Sequence, residues 1–186
     1  VLSLNLPVDM IATSHGIIWR DNPAQIIEKY LEWAKGVEDN QITIAYETMW
    51  NGTRRMAEAI ADGIKSVDSD VTVKLFNTAK SDKNDVLTEI FKSKAVLIGS
   101  STINKSILSS VSGILDMLKG LGLKNKKAAA FGSYGWSGES VPMINERLKD
   151  AKFEVIGDGI KELWNPDEEA LERCREFGKN FAEQIK

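Results

Sequence analysis

The chain is poor in the residues that build covalent or metal frameworks. It has one cysteine, Cys174, and one histidine, His15. A single cysteine excludes an intrachain disulfide and any Cys-x-x-Cys metal or redox motif. Arg173 and Arg175 flank Cys174 and would favour a thiolate, but its place in a helical pattern reads as a half-buried structural thiol. No apolar run approaches the ~18 residues of a membrane span. Residues 1–20 lack the charged start and long apolar core of a signal peptide, so a reducing, cytoplasmic setting is expected. Cationic excess is missing too. The net charge of -3 argues against a nucleic-acid partner. The chain starts at Val1 rather than Met, which suggests a fragment or a processed product. Its 186 residues suffice for one full core, or one core plus a short appendage.

Several nucleotide signatures are also absent. There is no Gly-x-x-x-x-Gly-Lys-Ser/Thr, which excludes a P-loop. Gly120-Leu121-Gly122 falls at a helix end rather than after a strand, so it is no dinucleotide fingerprint. A receiver domain would need clustered acids at the end of its first strand, where Glu47 stands alone.

What is present begins at Ile42. The β-branched and apolar run 42–46 turns polar at Thr48-Met49-Trp50-Asn51-Gly52-Thr53, and Met56, Ala57, Ile60, Ala61 and Ile64 then recur at helical spacing. A strand that stops in such a turn and restarts as a helix gathers free N–H groups at the positive end of a helix dipole. That arrangement suits an anion, commonly a phosphate. Thr48 and Thr53 add hydroxyls, Asn51 an amide, and Gly52 allows close approach. The same residues fit an ordinary N-capped turn, and the stretch alone leaves both readings open.

Strand and helix alternate from there to the end. Strands are expected at 42–46, 71–76, 95–99, 127–131 and 153–156, and helices at 53–66, 85–92, 107–118, 139–150 and 167–185. Five such units predict an α/β fold, an open five-stranded parallel sheet with helices on both faces. Ahead of it, Leu2, Leu4 and Leu6 suggest a strand around Pro7 that ends at Thr13-Ser14-His15-Gly16. Ile17-Ile18-Trp19 needs cover, and Asp21-Asn22-Pro23 opens a helix carrying Ile26, Ile27, Tyr30, Leu31, Trp33 and Ala34 that Gly36 can end. Residues 37–41 read as a polar linker, which places domains at 1–37 and 38–186.

Open sheets of this kind bind ligands outside the carboxyl ends of their strands, where strand order reverses. The rule selects three loops: 48–53, then Ser100-Ser101-Thr102-Ile103-Asn104-Lys105, then Gly132-Ser133-Tyr134-Gly135-Trp136-Ser137-Gly138-Glu139. They offer hydroxyls, amides, glycines and aromatics, but no general-base histidine and no acid pair. Such a set suits a flat, polar-edged ring carrying a phosphate. Tyr134 and Trp136 flank a glycine and can stack on a planar ligand, or Trp136 can tuck under its own loop; Trp50 is open to the same two readings.

With these residues in view, 42–186 resembles the flavodoxin-like domain of flavodiiron proteins, in particular the flavorubredoxin branch of anaerobic nitric oxide reductases. The carriers are Tyr46-Glu47-Thr48-Met49-Trp50-Asn51-Gly52-Thr53, Ser101-Thr102-Ile103-Asn104 and, most specific, Phe131 to Glu139. Ala12-Thr13-Ser14-His15-Gly16-Ile17-Ile18-Trp19-Arg20 resembles the last segment of that family's metallo-β-lactamase-like domain, so 1–37 would be its tail plus a linking helix. The resemblance implies strand order 2-1-3-4-5, as in flavodoxins, and FMN as cofactor. Thr48, Met49, Trp50, Asn51, Gly52 and Thr53 would wrap its phosphate. Ser101, Thr102, Ile103 and Asn104 would run along the ribityl chain and flavin edge. Ser133, Tyr134, Gly135, Trp136, Ser137 and Gly138 would hold the isoalloxazine. Two departures stand out. The turn reads Asn-Gly-Thr where flavodoxins often have Gly-Asn-Thr, and Ile103 supplies no aromatic, which argues against a two-sided aromatic sandwich.

The family further implies that His15 binds one iron of a non-haem di-iron centre in a full-length parent. By residue type alone His15 is an ordinary loop histidine. One histidine cannot make that centre, and neither His-x-Glu-x-Asp-His nor a rubredoxin's four cysteines occur here. The implied role is an electron relay from a rubredoxin or rubredoxin reductase-type, NADH-linked donor to a di-iron site upstream that reduces nitric oxide or dioxygen. The implied assembly is a head-to-tail homodimer. Two alternatives stay open: a non-catalytic interaction module with empty loops, and an NAD(P)H:quinone reductase on the same fold.

Overall fold

The computed structural model describes residues 7–36, 38–123 and 126–186, and its contacts divide the chain into two compact units, Val1–Glu38 and Asp39–Lys186. In the first unit, Ile11 and Trp19 exchange backbone hydrogen bonds of 3.0 and 2.9 Å, forming an antiparallel bridge. Helix α1 (Ala24–Ala34) follows Pro23, with no side-chain cap from the Asp21-Asn22-Pro23 start, and buries none of its residues. Leu2, Leu4 and Leu6 lie outside the described residues.

The second unit runs β1 (Asp39–Glu47), α2 (Gly52–Val67), β2 (Thr72–Asn77), α3 (Lys83–Lys92), β3 (Ser93–Ser100), β4 (Thr102–Ile103), β5 (Ser106–Ile107), α4 (Ser109–Leu121), β6 (Lys127–Tyr134), α5 (Ser140–Asp150), β7 (Glu154–Val155), β8 (Ile160–Leu163) and α6 (Glu168–Gln184). The main sheet is parallel, ordered β2-β1-β3-β6-β7, with β8 also on β6. This is the expected order, with the fifth strand in two pieces. Helices cover both faces, which is why β1, β3 and β6 read as nearly continuous apolar runs. Ile42, Ile44, Leu97 and Phe131 point to one side, against α2 and α6. Ala45, Val96, Ile98 and Ala130 point to the other, against α3, α4 and α5. Cys174 is fully buried in the α2–α6 layer, and burial pushes its thiol up to about 12, so it is an inert core residue.

Four local expectations need correction. β1 begins at Asp39, not after the linker, because the Gln41 side chain is buried and donates to Glu89 and Ser93. β6 runs on to Tyr134, so Gly132, Ser133 and Tyr134 are strand rather than loop. Its extra length is paired by β8, which starts after a break at Gly157-Asp158-Gly159 whose glycines sit at φ 65° and 83°. The 100–106 loop holds a small hairpin, β4–β5, turned by Asn104 and Lys105 at φ 49° and 56°. Its turn needs two left-handed residues, and only one of the two, the asparagine, is of a type that favours that conformation.

Candidate functional site

Helix α2 starts without the usual satisfaction of its first N–H groups. Asn51, at the cap position, takes a left-handed conformation (φ 64°) and makes no side-chain cap bond, and the first turn carries no acid. The hydroxyl of Thr48, just before it, is buried and has no hydrogen-bond partner. Buried donors are seldom left so. Together they leave a cluster of donors facing the carboxyl edge of the sheet, where a dipole favours an anion.

Sheet order brings the three loops to that point. Thr53 Oγ1, fully buried, lies 2.9 Å from Ser101 Oγ and 2.9 Å from Ser133 Oγ, while Ser101 and Ser133 are 3.3 Å apart. Each of the three expected stretches thus contributes one hydroxyl to a single triangle, Thr53 from the start of α2, Ser101 from the loop after β3 and Ser133 from the end of β6. Beside it a cavity of about 440 Å³ is lined by Met49, Trp50, Gly52, Ser101, Thr102, Ser133, Tyr134 and Gly135 from the expected loops, and by Trp164 and Asn165. That volume lies within the range of roughly 300–1,000 Å³ typical of small-molecule sites.

The other candidate residues sit around the cavity rather than on it. Thr53 and Thr48 stand behind its wall. Ile103 and Asn104 are on the β4–β5 hairpin, Asn104 at its tip. Ser137 donates to Glu139 at 2.6 Å, which holds that carboxyl below its usual range. Gly138 (φ 71°) backs the Tyr134 ring. Trp136 is 92% exposed and does not line the cavity.

Trp164 and Asn165 were not among the candidates. Trp164 follows β8 in a left-handed conformation (φ 57°), donates its N–H to Tyr134 O at 2.6 Å, and lays its ring against Gly135. Asn165 Oδ1 accepts from Arg55 of α2 at 3.2 Å. A tryptophan followed by Asn-Pro just past the last strand was the available signal, but an expected strand end at Ile156 left Trp164 in the middle of a loop. Lys161, also on β8, sits 5.6 Å from the Tyr134 ring centre.

A wider cavity of about 550 Å³ lies along α5 and β8, but it draws on none of the three loops, and its lining mixes Lys149 and Lys161 with Glu146, Asp150 and Asp158. In the first unit His15 lines a mainly apolar cavity with Ile11, Ile17, Trp19, Ile26, Ile27 and Tyr30. Among the described residues no three His, Cys, Asp or Glu side chains are grouped to hold a metal. Nor, among them, is any helix long and apolar enough to cross a membrane.

Comparison with known proteins agrees with this geometry. The flavodoxin family pattern matches residues 44–178. The anaerobic nitric oxide reductase flavorubredoxin of Klebsiella pneumoniae is 54% identical over 99% of the chain, which spans 38% of that relative's length. Among solved structures, the flavodiiron protein of Giardia intestinalis superposes with a TM-score of 0.90 at 32% identity, over 99% of this chain and 46% of that one. The rubredoxin oxygen:oxidoreductase of Desulfovibrio gigas gives 0.86 at 33%, over 95% and 44%. The chain belongs to the flavodoxin family, and the proteins it resembles along almost its whole length are flavorubredoxins and flavodiiron proteins.

Proposed function

We propose that this chain binds FMN at the carboxyl edge of its sheet and carries electrons within a longer flavodiiron protein. The observation that carries the reading is the Thr53–Ser101–Ser133 triangle beside an uncapped helix start and the unpartnered Thr48 hydroxyl. Donors of this kind fit a phosphate, and the walls Tyr134 and Trp164 fit a flat ring. Residues Thr48 to Thr53 hold the phosphate, Ser101 to Asn104 the ribityl chain and flavin edge, and Ser133 to Gly138 the isoalloxazine, with Trp164 and Asn165 added to the wall. When bound, FMN supplies one- and two-electron redox chemistry. The protein's own part is to orient the ring, shield it from water and set the charge around it.

The donor is a rubredoxin-type protein or an NADH-linked reductase, and the acceptor is a non-haem di-iron site in a part of the protein outside this chain, where nitric oxide or dioxygen is reduced. Residues 1–37 are the tail of that upstream domain plus a linking helix, and His15 supplies one iron ligand there. The full-length protein works as a head-to-tail homodimer in the cytoplasm. An absorption spectrum of the purified chain with an FMN titration tests the cofactor. Colourless protein that also leaves the fluorescence of added FMN unquenched would sink the reading.

The exposed rim, with Trp136 at 92% and Trp50 at 85%, supports a second reading, a docking module with no flavin. Trp136→Ala separates the two. The FMN reading expects lower flavin content in the variant, and the module reading expects no flavin in either protein and weaker partner binding in the variant.

A further inference from the structure

Glu47 has no part in the cavity described above, yet its carboxylate is engaged at this edge. It ends β1, opposite Ser100 of β3. Its Oε2 accepts from the Ser110 N–H at 3.2 Å and, through a short bond, from the Ser110 hydroxyl. Ser110 is the second residue of α4, whose cap position, Leu108, makes no side-chain cap bond and whose first turn has no acid. Glu47 therefore caps α4 from another strand, with its charge at the positive end of the dipole. Thr78 lies 2.6 Å from the Ser110 hydroxyl, and its N–H donates to Tyr46 O at 2.8 Å. With the Ser110 proton on Glu47, the Thr78 proton points to Ser110, and the β1 end, the β2 end and the α4 start form one chain of bonds.

We propose that Glu47 is a positioning residue for the ligand cavity, one that fixes the β4–β5 hairpin by anchoring the helix after it. This rests on the FMN reading above. The hairpin carries Ser101 and Thr102 into the cavity wall. It is closed at its base by Leu108 N–H on Ser100 Oγ (2.9 Å) and held on the α5 side by Thr102 on Ser140 (2.9 Å). Toward β1 its continuation is tied at Ser110, and Glu47 makes that tie. Thr48 follows Glu47 directly, so one residue sets both the turn 48–53 and the hairpin that faces it.

Amide hydrogen exchange of the flavin-free chain tests the anchor itself, and FMN titration tests what it serves. In Glu47→Ala the amides of 108–112 exchange roughly tenfold faster or more, as expected for a lost charged hydrogen bond. Those of α6 stay as in the parent, and FMN affinity falls by a similar factor. Glu47→Gln keeps an acceptor at the same place without the charge and brings exchange and FMN affinity part of the way back to the parent values, which a general loss of packing would not do. Unchanged exchange at 108–112 overturns the anchor. Faster exchange with unchanged FMN affinity overturns its service to the cavity. Should the alanine variant fail to fold, Ser110→Ala removes the hydroxyl half of the tie and is read the same way. A parent chain that binds no FMN refutes the functional reading and this inference about the cavity, while the exchange result still decides the anchor.

Discussion

The side-chain oxygens of Thr53 and Ser133 lie 2.9 Å apart although eighty positions separate them in sequence. One is in the first turn of α2 and the other near the end of β6, and strand order alone brings them together. Both are buried. A hydroxyl held so tightly in place is preorganised for a ligand and costs little ordering on binding. Thr53→Val keeps the shape and removes the donor. Thr53 stands behind the cavity wall, so the loss acts through the Ser101 and Ser133 hydroxyls it positions, and FMN affinity is expected to fall by about threefold to tenfold, the worth of one neutral hydrogen bond. Riboflavin, which lacks the phosphate, should lose clearly less. Equal losses for the two ligands would remove Thr53 from the phosphate end.

Trp164 and Trp136 separate wall from rim. Trp164 lines the cavity with its ring on Gly135, whereas Trp136 is almost wholly in solvent. Trp164→Ala should weaken FMN binding about tenfold, near the upper value of one aromatic contact. Trp136→Ala should weaken it by less. Fluorescence titration of both variants against FMN settles the order, and a larger effect at Trp136 would move the flavin toward the 135–139 loop.

The parallel sheet and the three candidate loops were legible because each rests on a local pattern plus one rule of α/β folds, while the strand order came with the family resemblance. Apolar runs mark β1, β3 and β6, helical spacing marks α2, and the switch-point rule selects the loops. What stayed hidden depends on partners far along the chain. Gln41 reads as linker until Glu89 and Ser93 are beside it. β8 reads as loop until it pairs with the end of β6, and with it Trp164 was lost from the site. The Asn104-Lys105 turn lacks the glycine that usually marks such a hairpin. The rule on loops also says nothing of which side chains meet, so the hydroxyl triangle was not visible as a triangle.

Glu89 gives the fold an acid-sensitive point. Its carboxylate meets Lys74 at 2.7 Å and Lys92 at 3.0 Å and accepts from Gln41 at 3.0 Å. Lys74 foremost, then Lys92 and Gln41, lower its pKa from 4.5 to about 2 against the opposing cost of burial. The folded value lies below the unfolded one, so the unfolded chain binds more protons in between. The stabilisation is complete above about pH 5 and is lost as pH falls toward about 2, a loss on the order of 1–3 kcal/mol. Glu89→Gln should be less stable than the parent at neutral pH, and the gap should close toward pH 3 in urea denaturation. A gap that stays constant with pH would assign the loss to packing rather than to charge.

Gly63 and Gly178 let α2 and α6 touch backbone to backbone. A Cβ on Gly63 would stand 2.0 Å from Arg175 O, and one on Gly178 would stand 2.2 Å from Ile60 O. Helix propensity alone favours alanine by about 0.5–1 kcal/mol at such positions. The contact opposes it, because a backbone carbonyl cannot swing aside as a side chain would. The helices must part, which costs roughly 1–3 kcal/mol or more. The clash is the larger effect, so Gly63→Ala and Gly178→Ala should both destabilise. Combined, they should cost less than their sum, since separation forced by one makes room for the other. Gly113 on α4 supplies the control, with nothing within 4 Å of its would-be Cβ. There the same substitution should stabilise by up to about 1 kcal/mol. Moving α2 also moves Thr53, so the two destabilised variants should bind FMN more weakly while Gly113→Ala binds it normally. Chemical denaturation beside FMN titration measures both, and stabilisation by Gly63→Ala would contradict the close packing of α2 on α6.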